Sequence, residues 1–142
     1  ETEALGCYER AVALTSGARR TSELDTAAVR AEALYRLALA CRRQRRHSDA
    51  ARYWQTLIDL GRWPAGVFER EALRALAVHH EHRLQDPDGA LTFARRAYAV
   101  EYTAGRRREV QRRLTRLERR LANDANNASG PGGPLALQCS LD

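Results

Sequence analysis

Residues 34–57 read LYRLALACRRQRRHSDAARYWQTL. Leu34, Leu37, Ala38 and Cys41 fall on one helical face, and so do Ala50, Trp54 and Leu57. Between them Arg42-Arg43-Gln44-Arg45-Arg46 is short and polar. Its cations offset the negative end of the first helix dipole and lead into a turn. The stretch is two helices folded back on each other, with the small residues Ala38 and Ala50 where the backbones must approach.

The pattern recurs on both sides. Leu73-x-x-Leu76-Ala77-x-x-His80 repeats the first half, and Ala90-x-x-x-Ala94-x-x-Ala97 the second. Ala4-x-x-x-Tyr8-x-x-Ala11 is a second half with nothing before it. Residues 1–14 are therefore expected to be a helix whose partner is missing. Together with the start at Glu1 and the absence of Met, this leads us to expect a fragment of a longer protein.

Punctuation marks the remaining boundaries. Residues 15–26 are polar and read as a loop, with Thr26 as cap of a helix from Ala27 to Arg43. Ser48 is the expected N-cap of the next helix and Gly61 its C-terminal stop. Trp63-Pro64 opens a helix over residues 65–84. Asp86-Pro87 restarts the chain, Asp86 capping and Pro87 presetting φ. Gly105 breaks the pattern before a last helix, Arg106 to Ala122, with Val110, Leu114, Leu117 and Leu121 as one narrow apolar stripe. From Asn123 the Asn-, Gly-, Ser- and Pro-rich text cannot repay ordering entropy. Two regions are expected: a helical-repeat domain over 1–122 and a disordered tail over 123–142.

Composition agrees with an all-α chain. Apolar content is 44%, mostly Ala and Leu, and aromatics are only 6%, a balance that favours helix over sheet. No apolar run approaches the roughly 20 residues that span a bilayer. Cys7, Cys41 and Cys139 match no metal or redox spacing, so a reducing, cytoplasmic setting is expected. All 24 basic residues are Arg, which reads first as codon bias and warns against taking each one for a phosphate fork.

The hairpin resembles the tetratricopeptide repeat (TPR), whose spacing residues 34–57 fit without a gap. The array departs from it in period. Ala4, Ala50 and Ala90 stand 46 and 40 residues apart, against 34 for the standard repeat, and the second hairpin has one extra residue before Ala90. The resemblance implies antiparallel hairpins stacked as a short right-handed solenoid, closed by the C-terminal helix. The run Leu76-Ala77-x-x-x-Glu81-His82-Arg83-Leu84-x-Asp86-x-x-x-Ala90-Leu91, with Arg95-Arg96-Ala97 and Arg113-Leu114-x-Arg116-Leu117-Glu118-Arg119, is similar to the C-terminal TPR region of bacterial ribonuclease H-like, putative exonuclease proteins. That likeness implies a nuclease domain upstream, not an activity here.

No catalytic set, phosphate loop or cofactor motif is present. His79-His80-Glu81-His82 lacks the spacing of a zinc helix, so no metal is expected. His80 is expected on the packing face in the place of Cys41, and Glu81 and His82 bonded to a nearby turn or cap. Residues 105–122 hold eight Arg and two Glu, a net +6 equal to that of the whole chain. Arg106, Arg107, Arg108, Arg112, Arg113, Arg116, Arg119 and Arg120 are the candidate contact residues for nucleic acid or an acidic partner. The competing reading is a solvated outer face whose Arg stems shield Leu. The expectation is a non-catalytic scaffold that binds a protein or a neighbouring domain, with a nucleic-acid-binding accessory as the alternative. Replacing Arg112, Arg113 and Arg116 by Glu is expected to abolish the second without unfolding the first.

Overall fold

The computed structural model describes residues 2–17, 23–61 and 66–128. These form α1 (Thr2–Gly17), α2 (Glu23–Arg43), α3 (His47–Asp59), α4 (Gly66–His79), α5 (Pro87–Val100) and α6 (Ala104–Ala128). The end of α4 runs into a five-residue π-helical turn, His80–Leu84. There is no strand among the described residues, so the all-α expectation holds. No helix among them is long and apolar enough to cross a membrane. Each helix packs on the next in sequence, and α2 also touches α4.

Two buried clusters share α4. Ala72 and Leu76 belong to the first, with Leu5 of α1, Ala31, Leu34, Leu37, Ala38 and Cys41 of α2, and Ala50, Trp54 and Leu57 of α3. Leu73 and Ala77 belong to the second, with Ala90, Leu91, Ala94 and Ala97 of α5 and Val110, Leu114 and Leu117 of α6. Ala38 is fully buried and Ala50 nearly so, which places the small residues inside the helix contacts. Tyr35 lies edge-on to Trp54 at 5.5 Å and against Phe68 at 4.7 Å. Those rings bind α2, α3 and α4 where alanines leave room.

Several boundaries differ from expectation, each for a local reason. The Thr26 cap is replaced by a start at Glu23, three residues earlier, so Thr26 lies inside α2. The Ser48 cap is replaced by Arg46, which makes no side-chain capping bond. Its guanidinium reaches Asp49 at 2.7 Å, and an acid in the first turn serves the exposed N–H groups electrostatically. Gly105 does not break the chain. The break is Glu101–Thr103, where the buried Glu101 carboxylate accepts from the Thr103 backbone N–H at 3.0 Å. Helix α6 continues to Ala128, six residues past the expected end at Ala122. Gly61, at φ +80°, stops α3 as expected. Asp86 caps α5 by accepting from Gly89 N–H at 2.9 Å, with Pro87 in the first turn. Trp63-Pro64, residues 129–142 of the tail, and Cys139 lie outside the described residues.

The extra residue of the second hairpin has a definite address. Ala38 and Ala50 are twelve residues apart, Ala77 and Ala90 thirteen. Each connection passes through one left-handed non-glycine residue, Arg45 at φ 61° and Gln85 at φ 54°. From Arg45 to Ala50 and from Gln85 to Ala90 the count is five in both. The surplus therefore sits before Gln85. There Asp86 N–H reaches back to the carbonyl of His80, six residues away, where Arg46 N–H reaches Cys41, five away. A π turn takes up the additional residue and leaves Ala77 and Ala90 in one cluster.

The buried alanines make the packing testable. Ala38→Leu is expected to lower stability by about 1–3 kcal/mol through overpacking of α2 on α3. Leu14→Ala, at a side chain 75% exposed, should change it by less than about 0.5 kcal/mol. Urea unfolding followed by circular dichroism distinguishes them.

Candidate functional site

The eight arginines of α6 differ in the contacts they make. A stripe of Val110, Leu114 and Leu117 fixes the rotation of the helix, and the cations spread around the remaining faces. Arg107 covers the ring of Tyr98 on α5, its guanidinium carbon 4.5 Å from the ring centre. Arg120 stands 3.9 Å from Asp124 one turn on. Arg113 and Arg116 both turn toward Glu81. Arg106 acts at longer range on Glu101. Arg108, Arg112 and Arg119 are exposed and form no ion pair among the described residues. Arg112, Arg116 and Arg119 line one shallow depression of α6 together with Gln111 and Thr115, and Arg108 Nε donates to the Ala104 carbonyl at 3.4 Å.

Glu81 is the centre of the inner group. Its side chain is 6% exposed, and Oε1 accepts from Arg116 Nη2 in a short hydrogen bond. Oε2 faces Arg113 Nε at 3.3 Å and His82 Nε2 at 3.7 Å, but no donor is aligned on it. The expectation that Glu81 bonds to a nearby turn fails because the π turn carries it onto α6, 32 and 35 residues further on. His80 takes its expected place on the packing face, though it is less buried than Cys41. It is half-buried, packs on Phe93 at 4.9 Å, and shares a 2.9 Å contact with Asp86. Gly89 N–H, followed by His80, holds the Asp86 carboxyl below its usual range.

Beside Glu81 lies an open groove of about 360 Å³. Helix α4 supplies its floor through Glu71, Arg74, Ala75, Val78 and His79. Arg42 at the end of α2 and His47, Ala50, Ala51 and Trp54 of α3 form one wall; Glu109 and Arg113 of α6 form the other. His82 and Arg83 close one end. Apolar side chains and cations line it together. Arg74 sits 3.6 Å from Glu71 through Nη2, while its Nη1 is shielded from water and has no acceptor. Arg42 reaches the same Glu71 at 3.9 Å, so one carboxylate serves two guanidinium groups. Burial, then the nearby charges of His80, His47 and Arg83, pushes the pKa of His79 down.

Among the described residues no three His, Cys, Asp or Glu side chains gather as a metal site. Burial pushes up the pKa of the Cys41 thiol, which disfavours the nucleophilic thiolate. Sequence reading found the basic run at Arg42–Arg46 but not the groove. The available signal was the third face of α4, Glu71, Arg74, Ala75 and Val78 at steps of three, one and three, lying between its two apolar faces. Family models, curated proteins and solved structures were all compared with the chain, and none matches it.

The Glu81 cluster should respond asymmetrically. Removing both cations in Arg113→Ala/Arg116→Ala strands a buried carboxylate and should cost about 3–5 kcal/mol. Glu81→Gln leaves guanidinium groups that are 18% and 60% exposed and reach water, so about 1 kcal/mol is expected. Urea denaturation at pH 7 measures both.

Proposed function

We propose that this chain is a non-catalytic, TPR-like scaffold that holds a protein segment in the groove between α3, α4 and α6. The observation that supports it best is the groove itself. Trp54, Ala75 and Val78 offer apolar contact, while Arg42, Arg74, Arg83 and Arg113 supply hydrogen-bond donors in the same lining. Recognition of an extended or helical segment needs this pairing of apolar and polar contact. The resemblance to ribonuclease H-like proteins nominates one such partner, a nuclease-like domain preceding these helices. On this reading α6 covers the open end of the stack and also completes the binding surface.

The alternative, a nucleic-acid accessory, draws on Arg108, Arg112 and Arg119, three exposed cations of α6 that form no ion pair among the described residues. Charge reversal at Arg113 and Arg116 is no longer a clean test, because it would set carboxylates against buried Glu81. Three outward cations should give an oligonucleotide affinity that falls roughly 20-fold between 50 and 200 mM salt.

Panning a displayed random-peptide library on the domain separates the two. Selected peptides are expected to bind Val78→Trp, which fills the groove at an exposed position, at least about tenfold more weakly. Arg108→Glu/Arg112→Glu/Arg119→Glu should leave them unaffected. Equal binding to the filled groove, or steeply salt-dependent binding of a dT20 oligonucleotide that the triple variant alone abolishes, overturns the scaffold reading.

A further inference from the structure

We propose that the groove is a pH-regulated site for an acidic peptide, gripping a carboxylate-bearing segment more tightly as His79 takes up a proton. This rests on the scaffold reading and adds to it the chemistry and regulation of the ligand.

The charge of the lining argues for the ligand class. Arg42, Arg74, Arg83 and Arg113 face two carboxylates, Glu71 and Glu109. With Glu81, which Arg113 already faces, the group carries +1 with neutral histidines and +2 with His79 protonated. Glu71 already lies near both Arg42 and Arg74, and Arg83 forms no ion pair among the described residues. Guanidinium groups present donors in a fork that matches a carboxylate. The apolar lining at Trp54, Ala75 and Val78 suits an aliphatic side chain between two acidic ones. A bare polyanion would leave those side chains unused, which favours a peptide over a nucleic-acid backbone.

His79 argues for regulation because it lines the groove among charges that separate segments bring to it. His47 begins α3, His79 ends α4 and His82 lies in the π turn. His47 and Arg83 stand near enough to His79 to oppose its charging. The remaining charges around it are His80, tied to Asp86 outside the groove lining; His82, 3.7 Å from Glu81 in the π turn; Arg42 from α2; Glu71 and Arg74 from its own helix; and Glu109 and Arg113 from α6, the latter also facing Glu81. In the empty groove this company, with desolvation, keeps His79 neutral at pH 7. A bound carboxylate reverses the balance by favouring the imidazolium. Binding is then coupled to proton uptake, and affinity must rise as pH falls through the histidine range. Carboxylates of the ligand stay ionised down to about pH 5.5, so the effect belongs to the protein.

The experiment uses the whole chain and a synthetic peptide of alternating Glu and Leu, with a Gln-for-Glu control, titrated calorimetrically at constant ionic strength. The acidic peptide is expected to bind at least about threefold tighter at pH 5.5 than at pH 7.5. It should take up protons, read as a dependence of the heat on buffer ionisation enthalpy. His79→Gln should remove that uptake, and Val78→Trp should abolish binding. Equal binding of the Gln peptide overturns the acidic ligand class, and pH-independent affinity overturns the regulation. Stronger competition by dT20 than by the peptide overturns the choice of partner. If the acidic peptide fails while library-selected peptides still bind in the groove, this inference falls and the scaffold reading stands. If neither binds, the scaffold reading falls first.

Discussion

Helix α4 has to be buried twice. Ala72 and Leu76 close the cluster built by α1, α2 and α3, while Leu73 and Ala77 close the one built with α5 and α6. A fourteen-residue helix satisfies both by pairing one small residue with one leucine on each side, Ala72 with Leu76 and Ala77 with Leu73. Large side chains are concentrated at a few points, Trp54, Tyr35 and Phe68, where alanine on the facing helix leaves volume to fill. Once both apolar faces are committed, the third face of α4 is left over. Flanked by α3 and α6, that leftover face is the floor of the groove.

The connections between helices were legible where a single residue type decides the geometry. Gly61 with positive φ and Asp86 ahead of Pro87 act through their own backbone and side chain, so their roles follow from identity and position. Ser48 shows the opposite case. It has the chemistry of a cap, but the helix begins one residue earlier at His47, and Asp49 with Arg46 supplies the favourable charge instead. Thr26 likewise lost its expected place because α2 extends back to Glu23. Propensity gives the existence of these helices; their ends follow contacts that a linear reading does not contain. The extension of α6 to Ala128 has the same character, since Asn-rich text beyond Leu121 carries no apolar stripe to announce it.

The candidate site was legible only in outline. The charge of α6 is plain in the sequence, but its division among partners is not. It depends on Glu81 and Tyr98, which lie in other elements and reach α6 only through tertiary packing. Arg113 and Arg116 therefore work in part as structural cations, neutralising a buried carboxylate, while Arg108, Arg112 and Arg119 remain in water. The groove was missed for a related reason. Its residues come from α2, α3, α4, the π turn and α6, and no local spacing links Arg42 to Arg113. The one local trace was the mixed polar and small third stripe of α4.

The widened turn after α4 bears on how such chains tolerate change in length. Within an ordinary helix one inserted codon rotates everything beyond it by about 100° and carries buried faces to the outside. Here the odd residue is confined between Ala77 and Gln85, two points whose partners in the preceding hairpin are Ala38 and Arg45. Downstream phase is restored before Ala90, so α5 and α6 dock as they would without it. A single-codon indel at this place is thereby silent for the distal modules, and its local trace is to carry Glu81 across to α6.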